Sequence, residues 1–401
     1  MPMPTAHGCS TGHGFSGRRL PAPPTGRDRM RVLVAPNAFR GGPGARWVGE
    51  ALTSGLTHAG MVSSVATIPL SDGGDGALDV ATDLLGGSRV RTIADDPLGA
   101  PVPAEYLLTE DGTAFVETAQ ASGLRLVVNR PKQPLVANTR GTGQLIAHAV
   151  ARGATKVVVM AGGTASVDLG AGALAALGVR FYDAGRRPLQ PVPRDLVHVR
   201  HIDTGPAQEL LRGVRIEVLS DVSTPLRRNI ERFGAQKGIT TSDAVVLREM
   251  LDAMLTALGC QEDLAAKPFH GAGGGLAAGL HTVFDAPVSH GGRFFASLAG
   301  LAGQIDRADL VLTAEGRFDS GSWEGKVPGL VATMAMAQGK RVVIIVGELG
   351  LPSSDLPPGV HCVELGLEPP TPGHAETSDR WYAFARAARS ALDCGSVPHA
   401  S

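Results

Sequence analysis

Short apolar runs of strand type recur along the chain at 32–35, 65–69, 157–160, 216–219, 310–313 and 342–346, and stretches of helical period fill many of the gaps. The clearest helical stretches are 47–59, 76–85, 143–152, 242–258, 327–338 and 378–392. Apolar strands that alternate with helices belong to parallel sheets covered by helices, because a crossover between parallel strands needs about a dozen residues or more. The expected class is therefore α/β, with a doubly wound, mostly parallel sheet. A second texture runs from about 89 to 117, where β-rich pieces are separated by turn clusters at Asp95-Asp96-Pro97 and Glu110-Asp111-Gly112. These pieces read as antiparallel strands. The expected organisation is one discontinuous α/β domain, 30–75 and 290–396, with a second α/β domain, 76–289, inserted in it and a cleft between them. No internal repeat is visible.

Residues 1–29 are rich in Gly, Pro and Arg and lack the apolar core of a secretory signal, so they read as a disordered leader. Met30, directly before the strand-like Arg31-Val32-Leu33-Val34-Ala35, suggests a translation start at that point. The chain has 401 residues, 43% of them hydrophobic, enough for one large core or two medium ones. Lys and Arg (37) nearly balance Asp and Glu (38), which leaves no net field of the kind that holds nucleic acid or an anionic membrane. No apolar run approaches the roughly 18–20 residues needed to cross a bilayer. Small-molecule partners and a cytoplasmic location are expected. Cys9, Cys260, Cys362 and Cys394 lie far apart with no CxxC pair, which fits neither a zinc site nor a disulfide framework.

Ligands of open α/β sheets sit in the turns that follow strands, and five such turns are candidates. The first, Pro36-Asn37-Ala38-Phe39-Arg40-Gly41-Gly42, carries a cation able to bind a carboxylate or phosphate bidentately, though most arginines are simply solvated. The second, Ser71-Asp72-Gly73-Gly74-Asp75-Gly76, combines glycines with two acids that can hold magnesium or cap the following helix. The third runs from Ala161 through Gly162-Gly163-Thr164-Ala165-Ser166-Val167-Asp168-Leu169-Gly170-Ala171-Gly172. It offers backbone N–H groups and hydroxyls to an anion, with Asp168 as a functional acid or as the cap of the helix from Ala171. The fourth, at 269–276, is another glycine-rich helix entry around Gly273, which tight packing alone would also explain. The fifth, at 313–326, gathers Glu315, Arg317, Asp319, Ser322, Glu324 and Lys326 at the end of a strand.

Two familiar nucleotide fingerprints are absent. Gly321 to Lys326 has too few residues between its glycines and Val327 in place of Ser or Thr, so it is not a P-loop. Gly141-Thr142-Gly143 and Gly271-Ala272-Gly273 lack the third glycine of the dinucleotide pattern.

Taken in order, the motifs resemble those of the bacterial two-domain glycerate kinase family, over about residues 30–392. The family's opening loop (Ala-Pro-Asp/Asn-Ser/Ala-Phe-Lys-Gly), its Asp-Gly-Gly-Glu-Gly turn and its Gly-Gly-Ser-Ala-Thr-Asn/Thr-Asp-Gly-Gly-Ala-Gly loop match 37–41, 72–76 and 162–172 here. Gly141-Thr142-Gly143, Asp221-Val222, Gln236-Lys237-Gly238, Glu315-Gly316-Arg317 with Asp319, and Gly325-Lys326 match as well. The resemblance implies ATP, a divalent metal such as Mg2+, and transfer of a phosphoryl group to a hydroxyl of glycerate or a related small hydroxy acid; a homodimer is a candidate assembly. Phosphoryl transfer needs positioned phosphates, a bridging metal, cations for the developing charge and a group to orient or deprotonate the hydroxyl. On that basis Asp168 is expected as metal ligand or base, with Asp72 as its competitor. Glu315 and Asp319 are further metal-side acids, and Arg40, Arg317 and Lys326 are anion clamps. Asn37, Gly73, Gly74, Gly163, Thr164, Ser166, Gly273 and Ser322 are expected to contact substrate or phosphate.

The chain departs from the family pattern at several points. Arg40 replaces a lysine, Val167 and Leu169 replace a polar residue and a glycine, Gly321 replaces a glutamine, and the fourth loop is about two residues short. The stretch after Asp221 is also shortened and carries Arg227 and Arg228. Val167 and Leu169 are expected to narrow the pocket. Two further readings therefore stand beside a plain glycerate kinase: a relative with a remodelled pocket acting on another small hydroxylated substrate, and a non-catalytic binding or regulatory homologue. The retained Asp72, Asp168, Asp319 and Lys326 speak against the last.

Overall fold

The computed structural model describes residues 29–39, 41–57, 59–260, 263–367 and 376–394. The expected leader, apart from Arg29, and the expected role of Arg40 lie outside the described residues. The first apolar run forms strand β1 (Met30–Val34) at the inside of a five-stranded sheet. Its partners are β2 (Val62–Thr67), β11 (Leu310–Phe318), β12 (Arg341–Leu349) and β13 (Val360–Glu364), in the order β13-β12-β11-β1-β2 with every pair parallel. The sheet thus takes strands from both ends of the chain, and its order reverses between β1 and β11. Open sheets bind ligands at the carboxyl ends of the strands beside such a reversal.

Alternation sorts the strand side chains onto two faces. Val32, Val34, Leu310, Leu312, Val343 and Ile345 pack under helices Ala45–Thr57 and Ser378–Asp393. Leu33, Val311, Val342, Ile344 and Val346 pack under helices Leu301–Arg307 and Val327–Ala337 on the other side. Burial on both faces explains why these strands read as continuous apolar runs.

The second sheet has six strands: β3 (Ser88–Asp95), β4 (Pro101–Leu108), β5 (Thr113–Glu117), β6 (Lys156–Met160), β9 (Arg215–Ser220) and β10 (Val288–His290), in the order β10-β9-β6-β5-β4-β3. β3, β4 and β5 pair antiparallel, as their turn-punctuated sequence predicts, whereas β5, β6, β9 and β10 are parallel. One face carries the largest core, with helices Arg140–Ala151, Thr241–Ala257 and Leu276–Phe284. On the other face helix Ala77–Leu85 meets Phe115, Val158, Met160 and Leu219. A small ribbon, β7 (Arg180–Tyr182) with β8 (His201–Asp203), stands apart from both sheets. Helix Gly291–Leu298 spans the junction: Phe295 packs in the core of the second sheet and Ala296 in that of the first. Among the described residues no helix is long and apolar enough to cross a membrane, and Cys260, Cys362 and Cys394 are free thiols.

Candidate active site

The carboxyl ends of β1, β2 and β11 from one sheet and of β5, β6 and β9 from the other open onto one cleft of ≈620 Å³. Of the residues expected from the sequence, Asn37, Asp72, Gly74, Gly163, Thr164, Gly273, Glu315, Arg317, Asp319 and Lys326 line it. Gly73, Ser166, Asp168 and Ser322 do not.

The loop after β1 is held to its neighbour by the Asn37 N–H, which donates to the Ala314 carbonyl at 3.0 Å, so the buried Asn37 side chain sits where the sheet order reverses. Glu315 lies on β11 itself and not in the turn after it. Its Oε2 accepts from the Ser322 hydroxyl at 2.9 Å, and its Oε1 lies 3.3 Å from the Lys326 ammonium. Burial pushes the Glu315 carboxyl up to about 7, Lys326 and Ser322 pull it down, and the neighbouring Asp72 pushes it further up. Ser322 therefore acts behind the cleft: it fixes Glu315 and accepts the Asp319 N–H at 3.1 Å.

Asp72 turns back on its own loop, with Oδ1 accepting the Gly74 N–H at 3.0 Å. Burial raises its pKa, opposed by that N–H, by Lys326 and by His290. Asp72, Glu315 and Lys326 thus form one electrostatic unit contributed by the loop after β2, by β11 and by the entry to helix Val327–Ala337.

Asp168 sits elsewhere. It is fully buried, and four donors converge on it: Thr139 N–H and hydroxyl at 2.8 Å each, Gly172 N–H at 3.1 Å and the Ser166 hydroxyl at 3.1 Å. It ties the starts of helices Arg140–Ala151 and Ala171–Ala176 together, which is the capping alternative extended to two helices. Ser166 is used up in the same knot. The expectation of a reacting group at Asp168 runs against this placement, because a carboxylate enclosed by four donors has no face toward the cleft. Val167 and Leu169 likewise fail to narrow the pocket, since both are buried in the core of the second sheet. Leu169 holds a positive φ of 51°, a conformation costly for a leucine, in exchange for that burial. Arg227 and Arg228 do not reach the cleft either; Arg232, a helical turn later, does.

Among the lining residues, Glu117, Asn229 and Lys237 carried no role in the sequence reading. Glu117 ends β5, and its two oxygens accept the Gly76 and Leu78 N–H groups at 3.1 and 2.8 Å, so this acid, and neither Asp72 nor Asp75, caps helix Ala77–Leu85. Burial pushes the Glu117 carboxyl up to about 7 against those two donors. Among the described residues, Asp75 Oδ1 and Asn229 Oδ1 are buried acceptors with no hydrogen-bond partner. Lys237, buried at the end of helix Asn229–Lys237, donates to the Ser166 carbonyl at 2.6 Å and to the Thr164 hydroxyl oxygen at 3.3 Å. A charged residue at the carboxyl end of an otherwise buried strand was the available signal for Glu117. The Gln-Lys-Gly string marked Lys237 without its burial.

The loops approach so closely that side chains are excluded. A Cβ on Gly162 would stand 2.4 Å from the Gly74 Cα, and one on Gly274, which has φ of +69°, would stand 2.0 Å from the Ser166 carbonyl oxygen. The glycine strings thus bring the Asp72 loop against the third loop across the two sheets, a packing requirement as much as a ligand cradle.

A cleft of this kind holds three carboxylates of raised pKa, Asp72, Glu117 and Glu315, a paired lysine and glycine-rich loops, which suits phosphoryl transfer. The sequence profile of the glycerate kinase family matches residues 32–369. A Bacillus subtilis (strain 168) protein named glycerate kinase is 33% identical over 338 residues, covering 81% of this chain and 87% of that relative. An Escherichia coli K12 protein named glycerate 2-kinase is 33% identical over 326 residues, covering 80% and 86%. A crystal structure from Salmonella typhimurium LT2 described as a glycerate kinase 2 superposes with a TM-score of 0.74 at 29% identity, covering 91% of this chain and 97% of the other. Its motifs, its fold and these similarities agree: the chain belongs to the glycerate kinase family.

Proposed function

We propose that this chain is an ATP-dependent kinase that phosphorylates a hydroxyl of glycerate in the cytoplasm, with the two sheets as two domains around the catalytic cleft. The observation that carries the reading is the Asp72–Glu315–Lys326 unit at the strand ends, in a chain of this family. Lys326 takes up negative charge as it moves onto the transferred phosphoryl group. Asp72, whose raised pKa brings it nearer to that of an efficient proton acceptor, takes the hydroxyl proton as the oxygen–phosphorus bond forms and the bond to the ADP oxygen breaks. Ser322 keeps Glu315 turned toward Lys326.

The donor set fits a divalent cation bound together with phosphates. Among the described residues no three His, Cys, Asp or Glu side chains form a closed metal cage, and magnesium in such sites takes only one or two carboxylates beside substrate phosphates. Glu315 and Asp319 would hold it, and it would neutralise phosphate charge as a Lewis acid. A cation there would also favour the ionised Glu315 carboxyl, which burial, with a lesser push from Asp72, disfavours.

The test is phosphorus NMR of the purified chain with ATP, magnesium and D-glycerate. Formation of ADP and a phosphoglycerate in equal amounts is expected, and the spectrum also identifies the hydroxyl attacked. Turnover of another hydroxy acid in preference to glycerate would favour the remodelled pocket, and no turnover of any acceptor would favour a binding homologue.

A further inference from the structure

Where helix Gly291–Leu298 begins, the second sheet touches two loops of the first at once. His290 ends β10, the edge strand of the second sheet, and caps this helix, its Nδ1 accepting the Arg293 N–H at 3.3 Å. Because Nδ1 accepts, the proton of the neutral ring sits on Nε2, at the far side of the imidazole. That side lies against Gly325, where φ is +110° and a Cβ would stand 2.0 Å from the His290 Nε2. Gly292 approaches the same turn, since a Cβ on it would stand 3.2 Å from the Gly325 carbonyl oxygen. Phe269 meets the imidazole edge to face with 5.7 Å between ring centroids, so the fourth loop holds the ring as well.

Gly291 closes on the other loop. A Cβ on it would stand 2.0 Å from the Asp72 carbonyl oxygen and 3.1 Å from the Gly73 nitrogen. His290 and Gly291 therefore brace two backbones of the first sheet's side, that of Asp72 itself and that of Gly325, the residue before Lys326. A helix cap needs only a short acceptor, and Ser, Thr, Asp or Asn is preferred there. It does not call for a ring that reaches on to a glycine of another loop. His290 does not line the cleft, so its influence on a ligand passes through the groups it holds.

We propose that His290 is a positioning residue for phosphoryl transfer: by bearing on Gly325 it fixes where Lys326 stands relative to Asp72 and Glu315. This rests on the kinase reading above. The competing account is that His290 serves the fold alone, as a helix cap.

The variants His290→Asn and His290→Gln separate the two accounts, because asparagine puts an acceptor where Nδ1 stands and glutamine puts a nitrogen close to where Nε2 stands. With ATP, magnesium and D-glycerate, His290→Asn should keep the melting temperature and lower kcat about ten- to a hundredfold, the effect of displacing a charged group by up to about 1 Å. KM for D-glycerate should stay within about threefold, since Lys326 acts on charge that develops in the transition state. His290→Gln should keep kcat within about threefold of wild type while loss of the cap lowers the melting temperature. In a Lys326→Met background His290→Asn should cost no further kcat, because both changes remove one interaction. Crystal structures of the ligand-free variants supply a readout that needs no turnover. The contact between Lys326 and Glu315, 3.3 Å in the wild type, should hold in His290→Gln and open beyond about 4 Å in His290→Asn. Several outcomes would overturn the proposal: wild-type kcat and an unmoved Lys326 in His290→Asn, equal losses of kcat in both variants, additive losses in the Lys326→Met background, or loss of folding in both variants. If the wild type phosphorylates no acceptor, the kinase reading fails and the crystal structures alone decide whether His290 fixes Lys326.

Discussion

Asp72 and Asp168 are both aspartates in glycine-rich loops after strands, and their surroundings give them opposite tasks. Asp72 meets one backbone donor and lies in the field of Lys326, while Asp168 is closed in by four donors. Asp72→Asn should lower kcat by at least about a hundredfold, the usual worth of a positioned proton acceptor, without lowering the melting temperature, since an ionised Asp72 is already disfavoured by burial. Asp168→Asn should keep kcat within about tenfold, because an amide oxygen can still accept the three donors on the Oδ2 side. Asp168→Ala, which leaves buried N–H groups unpaired, should cost about 3 kcal/mol or more of stability. Chemical denaturation with parallel kinetics on these three variants checks both claims, and a dead but stable Asp168→Asn enzyme would return the reacting role to Asp168. Leu169→Ala should cost about 2–4 kcal/mol as a core truncation even though the leucine occupies a strained conformation, and it should leave KM for glycerate unchanged. A lower KM in that variant would restore the narrowed-pocket expectation.

At the scale of elements, the sequence showed what is local and hid what is not. Helix Ser378–Asp393 and strands β1, β6, β9, β11 and β12 were readable because apolar spacing is a property of neighbouring residues, and the antiparallel β3–β4–β5 was marked by its own turns. Burial inside a loop leaves no such trace, so Asp168, Val167 and Leu169 read as pocket residues when they are scaffold and core. Long-range caps are equally hidden: Glu117 closes the N-terminus of a helix that precedes it by some forty residues. That cap makes the junction pH-sensitive. The Glu117 and Glu315 carboxyls, both raised to about 7 in the folded chain, favour folding when protonated. Their contribution is complete below the unfolded glutamate pKa of about 4.3 and is lost as pH rises to about 7, by up to roughly 3 kcal/mol each. The melting temperature of the ligand-free protein should therefore fall between pH 5 and pH 8, and Glu117→Gln should flatten that slope. A profile that rises over the same range in the wild type would show that the two N–H donors outweigh the burial of Glu117.

For the whole molecule, activity depends on two sheets, each with its own core, meeting at a contact too tight for any side chain. The Asp72 loop follows β2 of the first sheet, and the Thr164 loop follows β6 of the second. The absence of a Cβ at Gly162 lets the two backbones touch, since a methyl there would lie 2.4 Å from the Gly74 Cα and 3.1 Å from the Asp221 carboxylate and the Gly73 carbonyl. Gly162→Ala must push the loops apart by a fraction of an ångström or more. The contact is made by loop backbone, so the stability cost should be modest, about 1–3 kcal/mol for a local overpacking. The catalytic cost should be larger, because the separation between Asp72 and the opposite wall sets whether a hydroxyl held on one side reaches the phosphoryl group on the other, and a misplacement of about 1 Å is worth about a hundredfold in rate. Gly60→Ala, where a Cβ meets nothing within 4 Å, is the matched control and should change neither property. A Gly162→Ala enzyme with kcat/KM for glycerate near that of the control would mean that the two walls are positioned by some other contact, and that the glycine strings at the junction serve folding rather than the geometry of transfer.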